Sequence, residues 1–192
     1  QRRVRLAPNV SYDNPGTAAD GLRTNDDFFM YNGATDRYDW KLVGKKEMYV
    51  PYNSYVINGN TLKVKDVLKK GHVNPEPARY ELHRVWEVEA NVKAGTSHVY
   101  KKRSFYIDED SWIILVSDKY DNRDQLWRVD EQHTTQYYDV PFLAPGLEVK
   151  HDLQSGRYIA LSIRNEETVV YDRSPLTPAD FTPDALRTKG TR

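Results

Sequence analysis

The histidines and carboxylates are the side chains of this sequence whose chemistry could support metal binding or catalysis. A zinc site commonly brings three or four ligands together at tight local spacing, but the histidines are scattered and no HExxH motif joins any two of them. Cysteine is absent, which excludes thiol catalysis, thiolate metal sites and disulfides within this chain. We therefore predict no metal site. The five histidines are His72, His83, His98, His133 and His151.

The acidic turn at Asp108, Glu109 and Asp110 is the second place where chemistry is conceivable. Hard cations such as calcium take clustered oxygen ligands, but the spacing does not match an EF-hand loop and aspartate is common in turns. Glu81 and His83 share one face of a predicted strand, where a cross-strand ion-pair surface is the favoured interpretation over a shared ion. The sequence has no GxSxG, GxxxxGK[ST] or GxGxxG motif. We predict no cofactor and no enzymatic activity, with an enzyme of unrecognised type as an alternative.

Composition limits the class of protein. The 192 residues include 28 basic and 28 acidic side chains, so the formal net charge is zero, whereas a nucleic-acid-binding protein usually has a basic excess. The mean hydropathy is −0.79, and no apolar run approaches the roughly 20 residues that cross a bilayer. We therefore predict neither nucleic-acid binding nor a transmembrane segment. The first residues read as the interior of a strand, so we expect an excised fragment or a processed chain.

The elements that position these side chains are mainly strands. Residues 99–138 predict three strands joined by two tight polar turns, because β-branched and aromatic residues alternate with short turn-forming ones. Residues 79–92 alternate so regularly that they predict one strand of roughly 45 Å, about twice the ordinary length. Residues 2–7, 47–57, 147–163 and 169–171 predict further strands, and residues 141–146 a loop. Residues 183–187 predict one helical turn, with Thr182 as its cap and Pro183 at its first position. The sum is a mainly β fold, a curved antiparallel sheet of at least seven strands with a few short helices, in one domain over residues 1–192.

A short helical segment carries an unusually large apolar load. Thr24 can cap its start, acidic residues occupy its first turn, and Asn-Gly at residues 32–33 ends it. Between them lie Phe28, Phe29, Met30 and Tyr31. The segment is either a lid over an apolar pocket or a plug that completes the core, with the plug slightly favoured.

Arg84 is unexpected because it lies on the otherwise apolar face of the long strand, between Leu82 and Trp86. A buried arginine needs a carboxylate or phosphate partner. Arg84 is therefore either an anchor for an anionic headgroup or one half of an internal salt bridge, for example to Asp118 or Asp130. The salt bridge is favoured.

Several strings of this sequence resemble a proteobacterial envelope family of uncharacterised function that is related to outer-membrane lipoprotein-sorting proteins. They cover nearly the whole chain in the right order. More distantly, the chain resembles the Lol lipoprotein carriers, in which a strand ending in aromatic-Ile-Asp leads through a turn to a strand ending in Tyr-Asp, as at residues 106–108 and 120–121. The strings are RRVRLAPNVSYD (2–13), DGLRTNDDF (20–28), RYDWKLVGKKE (37–47), RYELHRVWEVEA (79–90), FYIDEDSWIILVSDKYD (105–121) and DFTPDALR (180–187).

The resemblance implies an unclosed half-barrel with a short helical lid, whose concave apolar face receives acyl chains. It implies a non-enzymatic binding or carrier role in the periplasm or at the outer membrane, with a lipid, an acyl chain or a lipoprotein as partner and possible contacts to envelope transport proteins. Family members usually have a long additional N-terminal half, so the chain is expected to be the C-terminal portion of a longer secreted protein. The alternative is an interaction or sensor module of an envelope export system that fills its own concavity.

The candidate ligand-binding residues follow from this combination. Aromatic side chains suit cavity walls because they combine a large apolar body with a polar tip. The predicted gate consists of Phe28, Phe29, Tyr31 and Trp40, the predicted lining of Trp86, Val88, Trp112 and Ile114, and the predicted anchor of Arg84.

Overall fold

One antiparallel sheet of seven strands organises the structure, a computed structural model that describes Val4 and residues 9–168 and 175–189. Each strand pairs with the next one along the chain, and β1 and β7 form the two edges, so the sheet is unclosed within the described residues. Irregularities in four of the six pairings bend the strands and increase their twist. The predicted mainly β, antiparallel fold is confirmed. The strands are β1 (Tyr38–Pro51), β2 (Tyr80–Val92), β3 (Lys102–Asp108), β4 (Ile114–Tyr120), β5 (Leu126–Tyr137), β6 (Phe142–Asp152) and β7 (Arg157–Leu161).

The helices are short, as predicted. No helix of the described residues is long and apolar enough to cross a membrane. The α-helices are α1 (Tyr55–Asn58), α2 (Val64–Val67) and α3 (Pro183–Lys189), and the 3-10 helices are Asn25–Met30, Thr35–Arg37 and Pro178–Phe181.

The two faces of the sheet have different interiors. On one face, called here the helix face, Ile57 of α1 and Val67 of α2 pack against Leu147 and Val149 of β6. A second apolar cluster on the same face includes Val85 of β2. The opposite face is called here the lysine face, because it carries Lys119 of β4 and Lys150 of β6. Its apolar part is built from Tyr38, Ala90 and Phe105, contributed by β1, β2 and β3.

Most predicted strands agree with the structure, and two predictions were wrong. The long strand predicted at residues 79–92 is β2. The strand predicted at residues 47–57 ends at Pro51, because proline cannot continue the ladder, and α1 begins four residues later. The loop predicted at residues 141–146 is wrong, because β6 begins at Phe142. Strands predicted at residues 2–7 and 169–171 lie outside the described residues, apart from Val4.

The chain divides into two compact units. Residues 11–167 form one unit and contain the whole sheet. The other unit comprises residues 1–10 and 168–192, and its described part contains the 3-10 helix Pro178–Phe181 and α3. The Thr182 hydroxyl accepts a hydrogen bond from the Ala185 amide at 3.2 Å, which confirms the predicted cap of α3. The single domain over residues 1–192 stays a prediction.

Candidate functional site

The predicted lid segment is a short turn anchored by two buried aspartates. It is the 3-10 helix Asn25–Met30, and the Thr24 amide donates to Asp27 Oδ2 at 2.9 Å, which confirms the predicted helix start. The backbone leaves helical geometry at Phe28 and enters the left-handed region at Phe29, with φ 49° and ψ 48°. The segment therefore carries its aromatic residues on a strained turn rather than on a regular helix.

Beneath this turn lies an ion network that sequence reasoning missed. Its side chains come from the turn and from strands β3 to β6, and each residue is at most 1% exposed. Lys119 Nζ lies 3.0 Å from Asp27 Oδ1 and also pairs with Asp130. Lys150 Nζ lies 2.6 Å from Asp130 Oδ2 and donates to the Asp27 backbone carbonyl at 2.9 Å. The members of the ion network are Asp26, Asp27, Arg103, Lys119, Asp130 and Lys150.

Arg103 joins the ion network to the aromatic residues around it. Its Nη2 lies 2.8 Å from Asp26 Oδ1. Its guanidinium also lies over the rings of Tyr31, Tyr38 and Tyr100, at 5.5, 5.5 and 4.9 Å from the ring centroids. Rings placed in this way stabilise a cation by their negative faces, and this stabilisation helps to offset the cost of burying the charge.

The charges of the ion network fix the ionisation of the two aspartates. Burial alone would raise the pKa of Asp27, but the positive charges of Lys119, Arg103 and Lys150 outweigh burial and hold that pKa well below its ordinary value. The pKa of Asp26 is also lowered despite burial, by a hydrogen bond from His98 and by the charge of Arg103. The turn is therefore held on the sheet by ionised carboxylates at neutral pH.

An aromatic cluster fills the space beside the ion network. The Tyr31 ring lies 5.5 Å from Trp40 and 5.5 Å from Phe105, and Trp40 stacks on Phe105 at 5.9 Å. Met30 is 1% exposed. This packing matches the plug interpretation for Met30 and Tyr31.

The first two aromatic residues of the turn are exposed to solvent, unlike Met30. Phe28 is 41% exposed and Phe29 is 53% exposed, and their rings contact each other edge to face at 4.4 Å. Arg23 lies over the Phe28 ring at 5.6 Å. The turn therefore presents a pair of aromatic side chains to solvent.

Exposed apolar side chains recur along the lysine face of β1 and β2, on both sides of the charged pair Glu47 and Arg84. Tyr49 pairs directly with Leu82 and Leu42 with Val88, which places these side chains on the same face as Trp40. Four of them are exposed to an unusual extent. We call this surface the apolar strip; its members are Trp40 (37% exposed), Leu42 (62%), Tyr49 (69%) and Leu82 (57%).

Two of the four predicted lining residues are brought together. Val88 and Ile114 pack against the core formed by Tyr38, Ala90 and Phe105. Trp112 is 69% exposed in the turn between β3 and β4. Their predicted role as the walls of one cavity stays a prediction.

Trp86 is half-buried on the lysine face of β2. Lys45 Nζ lies over its ring, 4.5 Å from the centroid. A cation so placed is attracted by the negative face of the ring, so this predicted lining residue has a charged group beside its apolar body.

The prediction that Arg84 is buried is wrong. Its side chain is 57% exposed and its Nε lies 2.6 Å from Glu109 Oε1. The salt bridge exists, but its partner is neither Asp118 nor Asp130. Arg84 pairs across with Glu47 of the edge strand β1, and this part of the lysine face is open to solvent.

In the acidic turn at the end of β3, both carboxylate oxygens of Asp108 contact other groups of the protein. Asp108 Oδ2 accepts hydrogen bonds from the Ser111 amide at 2.9 Å and the Ser111 hydroxyl at 2.6 Å, and Asp108 Oδ1 lies 2.9 Å from His83 Nδ1. Across the described part of the chain, no group of three or more histidine, aspartate or glutamate side chains is arranged to hold a metal ion.

Comparison with known proteins gives a family and a curated relative. The family described as "Protein of unknown function (DUF1329)" matches residues 1–187. The uncharacterised protein PA3922 of Pseudomonas aeruginosa is 57% identical over 195 residues, an alignment that covers 100% of this chain and 42% of that protein. The chain therefore spans less than half the length of this relative.

Solved structures share the fold at low sequence identity. A Vibrio parahaemolyticus domain that carries the provisional name outer membrane lipoprotein-sorting protein aligns with a TM-score of 0.53 and 14% identity, over 92% of this chain and 57% of that one. A DUF1329 family protein from Desulfovibrio piger aligns with a TM-score of 0.52 and 16% identity, over 93% of this chain and 58% of that one. The predicted resemblance to a family related to lipoprotein-sorting proteins is confirmed at the level of family and fold.

Proposed function

Because the chain belongs to the DUF1329 family of proteins of unknown function, we propose its function from its own surface. It is a non-enzymatic envelope protein that binds a lipid, an acylated protein or another hydrophobic ligand on the apolar strip. The exposed pair Phe28 and Phe29 borders the site, since Tyr31 of the same turn contacts Trp40 of the strip. We place the protein in the periplasm or on the periplasmic side of the outer membrane, in keeping with the name carried by the Vibrio parahaemolyticus domain of similar fold.

The exposure of the apolar strip is the observation that carries this proposal. Exposed apolar side chains that gather on one face of a protein mark a candidate ligand, membrane or partner site. Leu42, Tyr49 and Leu82 are each more than half exposed although they belong to regular strands. Burying an acyl chain of 14 carbons on such a surface would give on the order of 10 kcal/mol gross, at about 0.8 kcal/mol per methylene, and it requires no covalent chemistry.

The experiment is native mass spectrometry of the purified chain, followed by organic extraction and uptake of a fluorescent fatty acid. We expect the double variant Leu42→Ser/Leu82→Ser to reduce uptake at least tenfold. Leu153→Ser is the matched control, because Leu153 is 52% exposed in the turn after β6 and lies outside the strip. Equal uptake by the double variant and the control would contradict ligand binding on the apolar strip.

A second candidate function is a protein-interaction or sensor module of an envelope export system. The ion network favours it, because the space beneath the turn is filled by paired charges rather than left open. The apolar strip would then bind a segment of another protein. A clean apo mass, no fatty-acid uptake and strip-dependent binding of an envelope transport protein would select this candidate over the carrier.

A further inference from the structure

A polar cavity of about 240 Å³ lies on the helix face, away from the apolar strip. Its walls are the loop after α2, the start of β2 at Tyr80, and the strands β5 and β6. This volume is below the roughly 300–1,000 Å³ of pockets that enclose drug-sized ligands, so the cavity fits a small molecule or a headgroup and not an acyl chain. Its polar lining includes His72, Tyr80, Glu131, His133 and His151.

The loop over the cavity is fixed by hydrogen bonds to α2 and to β7. Asn74 Nδ2 donates to the Asp66 carbonyl at 2.9 Å. Tyr158 of β7 stacks on His151 at 5.7 Å and donates to the Lys69 carbonyl at 2.8 Å. The cavity is therefore a formed feature of the fold, with its walls held in position.

Glu131 is a carboxylate at the wall of this cavity that forms no ion pair with the described residues. Its Oε1 accepts a hydrogen bond from the Tyr80 hydroxyl at 3.0 Å, and among the described residues no lysine, arginine or histidine forms an ion pair with it. Burial raises the pKa of Glu131 despite the Tyr80 hydrogen bond and the charge of His151. By contrast, Asp27 on the lysine face pairs with Lys119. A half-buried carboxylate in this state gains free energy when a cation binds beside it.

His133 supplies a second acceptor. It is 1% exposed, and its Nδ1 has no hydrogen-bond partner among the described residues. Burial lowers its pKa to about 4, and the charge of His151 contributes in the same direction. The ring is therefore neutral at pH 7 and can accept a hydrogen bond at one nitrogen, while the Tyr80 ring offers a face that attracts cations.

We propose that this cavity binds a small primary ammonium group, with Glu131 as its counter-ion and His133 and Tyr80 as further contacts. A carboxylate, a neutral imidazole and a phenol form a set rich in acceptors, which suits three ammonium N–H donors. The described residues show no arrangement for a metal ion, so an organic cation fits better. The ammonium group belongs either to a free amine or to a lipid headgroup. This inference does not depend on ligand binding at the apolar strip.

The thermal unfolding midpoint tests the proposal. The chain is heated in ethanolammonium chloride, tetramethylammonium chloride and sodium phosphate at matched ionic strength. We expect ethanolammonium alone to raise the midpoint, saturably and by about 2–4 °C, because tetramethylammonium has no N–H donor. An equal rise with tetramethylammonium, or a rise with phosphate only, would overturn the proposal.

Glu131→Gln is the variant that identifies the counter-ion. We expect its unfolding midpoint at neutral pH to be higher than that of the unsubstituted chain, because an ionised carboxylate is removed from a site that disfavours it. We also expect ethanolammonium to leave the midpoint of this variant unchanged. Asp118→Asn is the matched control, since Asp118 also accepts from a tyrosine, Tyr106, and its pKa is also raised by burial, but it does not line the cavity. We expect this control to keep the response. A response retained by Glu131→Gln would overturn the proposal.

Histidine NMR gives a readout that needs no variant. Ethanolammonium should shift the His133 and His151 ring resonances and leave those of His98, which lies in contact with Asp26 on the lysine face, unchanged. No shift at His133 would overturn the proposal. Sedimentation with vesicles of phosphatidylethanolamine then separates the two sources: binding that free ethanolammonium displaces identifies a lipid headgroup, and no vesicle binding identifies a free amine.

Discussion

At the scale of single residues, the two faces of the sheet treat buried charge in opposite ways. On the lysine face, Asp27 pairs with Lys119 within a buried set of opposite charges. On the helix face, Glu131 and His133 line a cavity without a permanent charged partner among the described residues. The ion pairs on the lysine face hold the turn on the sheet, whereas the groups that line the cavity can contact a ligand.

Asp27→Asn tests the ion pairs on the lysine face. Removing one partner of a buried ion pair leaves an uncompensated charge, which costs about 3–5 kcal/mol. Because the pKa of Asp27 is lowered in the folded chain, its contribution is present above the unfolded value of 3.8 and is lost only as the pH falls below it. We expect urea unfolding at pH 7 to show this loss, while Asp39→Asn, at an exposed position of β1, stays within about 0.5 kcal/mol of the unsubstituted chain. A loss below 1 kcal/mol at Asp27 would contradict the role of the ion network.

His133 gives a stability effect at mildly acidic pH. Its pKa falls from 6.5 to about 4 on folding, so its contribution is complete above pH 6.5 and decreases as the pH falls towards 4. This group alone should cost about 2 kcal/mol between pH 7.5 and pH 5. Nearby Glu131 acts in the opposite sense, because its raised pKa favours folding at low pH. We expect urea unfolding at both pH values to show a smaller acid loss in His133→Gln than in the exposed control His72→Gln, and an equal loss would contradict the assignment.

At the scale of elements, the turn Asn25–Met30 combines a strained backbone with firm anchors. Phe29 and Met30 both have positive φ, at 49° and 68°. A residue with a β-carbon adopts this region at a cost of roughly 1–2 kcal/mol. The buried aspartates of the same turn stabilise it against that cost, and the result is a stable presentation of Phe28 and Phe29.

Phe29→Asn should separate strain from function, because asparagine tolerates the left-handed region. We expect a gain of about 0.5–1 kcal/mol in the free energy of unfolding together with weaker fatty-acid uptake. Phe28→Asn is the matched control for strain: Phe28 has φ −66°, so its replacement relieves nothing. If Phe29→Asn destabilised the chain by more than the control does, the ring would be packed and not presented.

The elements also show what could be predicted from the sequence. β2 could be predicted to within one residue because its side chains alternate for its whole length. The start of β6 could not, because Pro145 and Gly146 suggest a loop, although both lie within the strand. The ion network could not be predicted either. Lys150 alternates with apolar neighbours as a solvent-facing residue would, and its contact with Asp27 spans 123 positions of the sequence.

At the scale of the whole molecule, the sheet leaves β1 as an edge, and the apolar strip lies on β1 and β2. Edge strands with apolar side chains promote pairing between molecules. The isoelectric point near 7.2 leaves little charge repulsion at neutral pH.

We therefore expect weak self-association of the ligand-free chain, strongest near pH 7 and reduced at pH 9. Leu42→Lys should reduce it at pH 7, because a charge on an edge strand opposes pairing. Leu153→Lys, outside the strip, adds the same charge and should have a smaller effect. Sedimentation velocity measures both, and equal effects of the two lysines would mean that net charge, and not the strip, governs association.

The order of the strands has a consequence for the sequence of assembly. Because each strand pairs with its neighbour in the chain, every pairing can form as soon as the second strand of that pair has been synthesised. The turn Asn25–Met30 is attached in stages, since Arg103 of β3 and Lys119 of β4 contact its two aspartates before Lys150 of β6 has been synthesised. A chain interrupted before β6 would therefore hold most of its sheet, with the turn attached through only some of its contacts. The contact with Lys150 forms only after synthesis has passed residue 150.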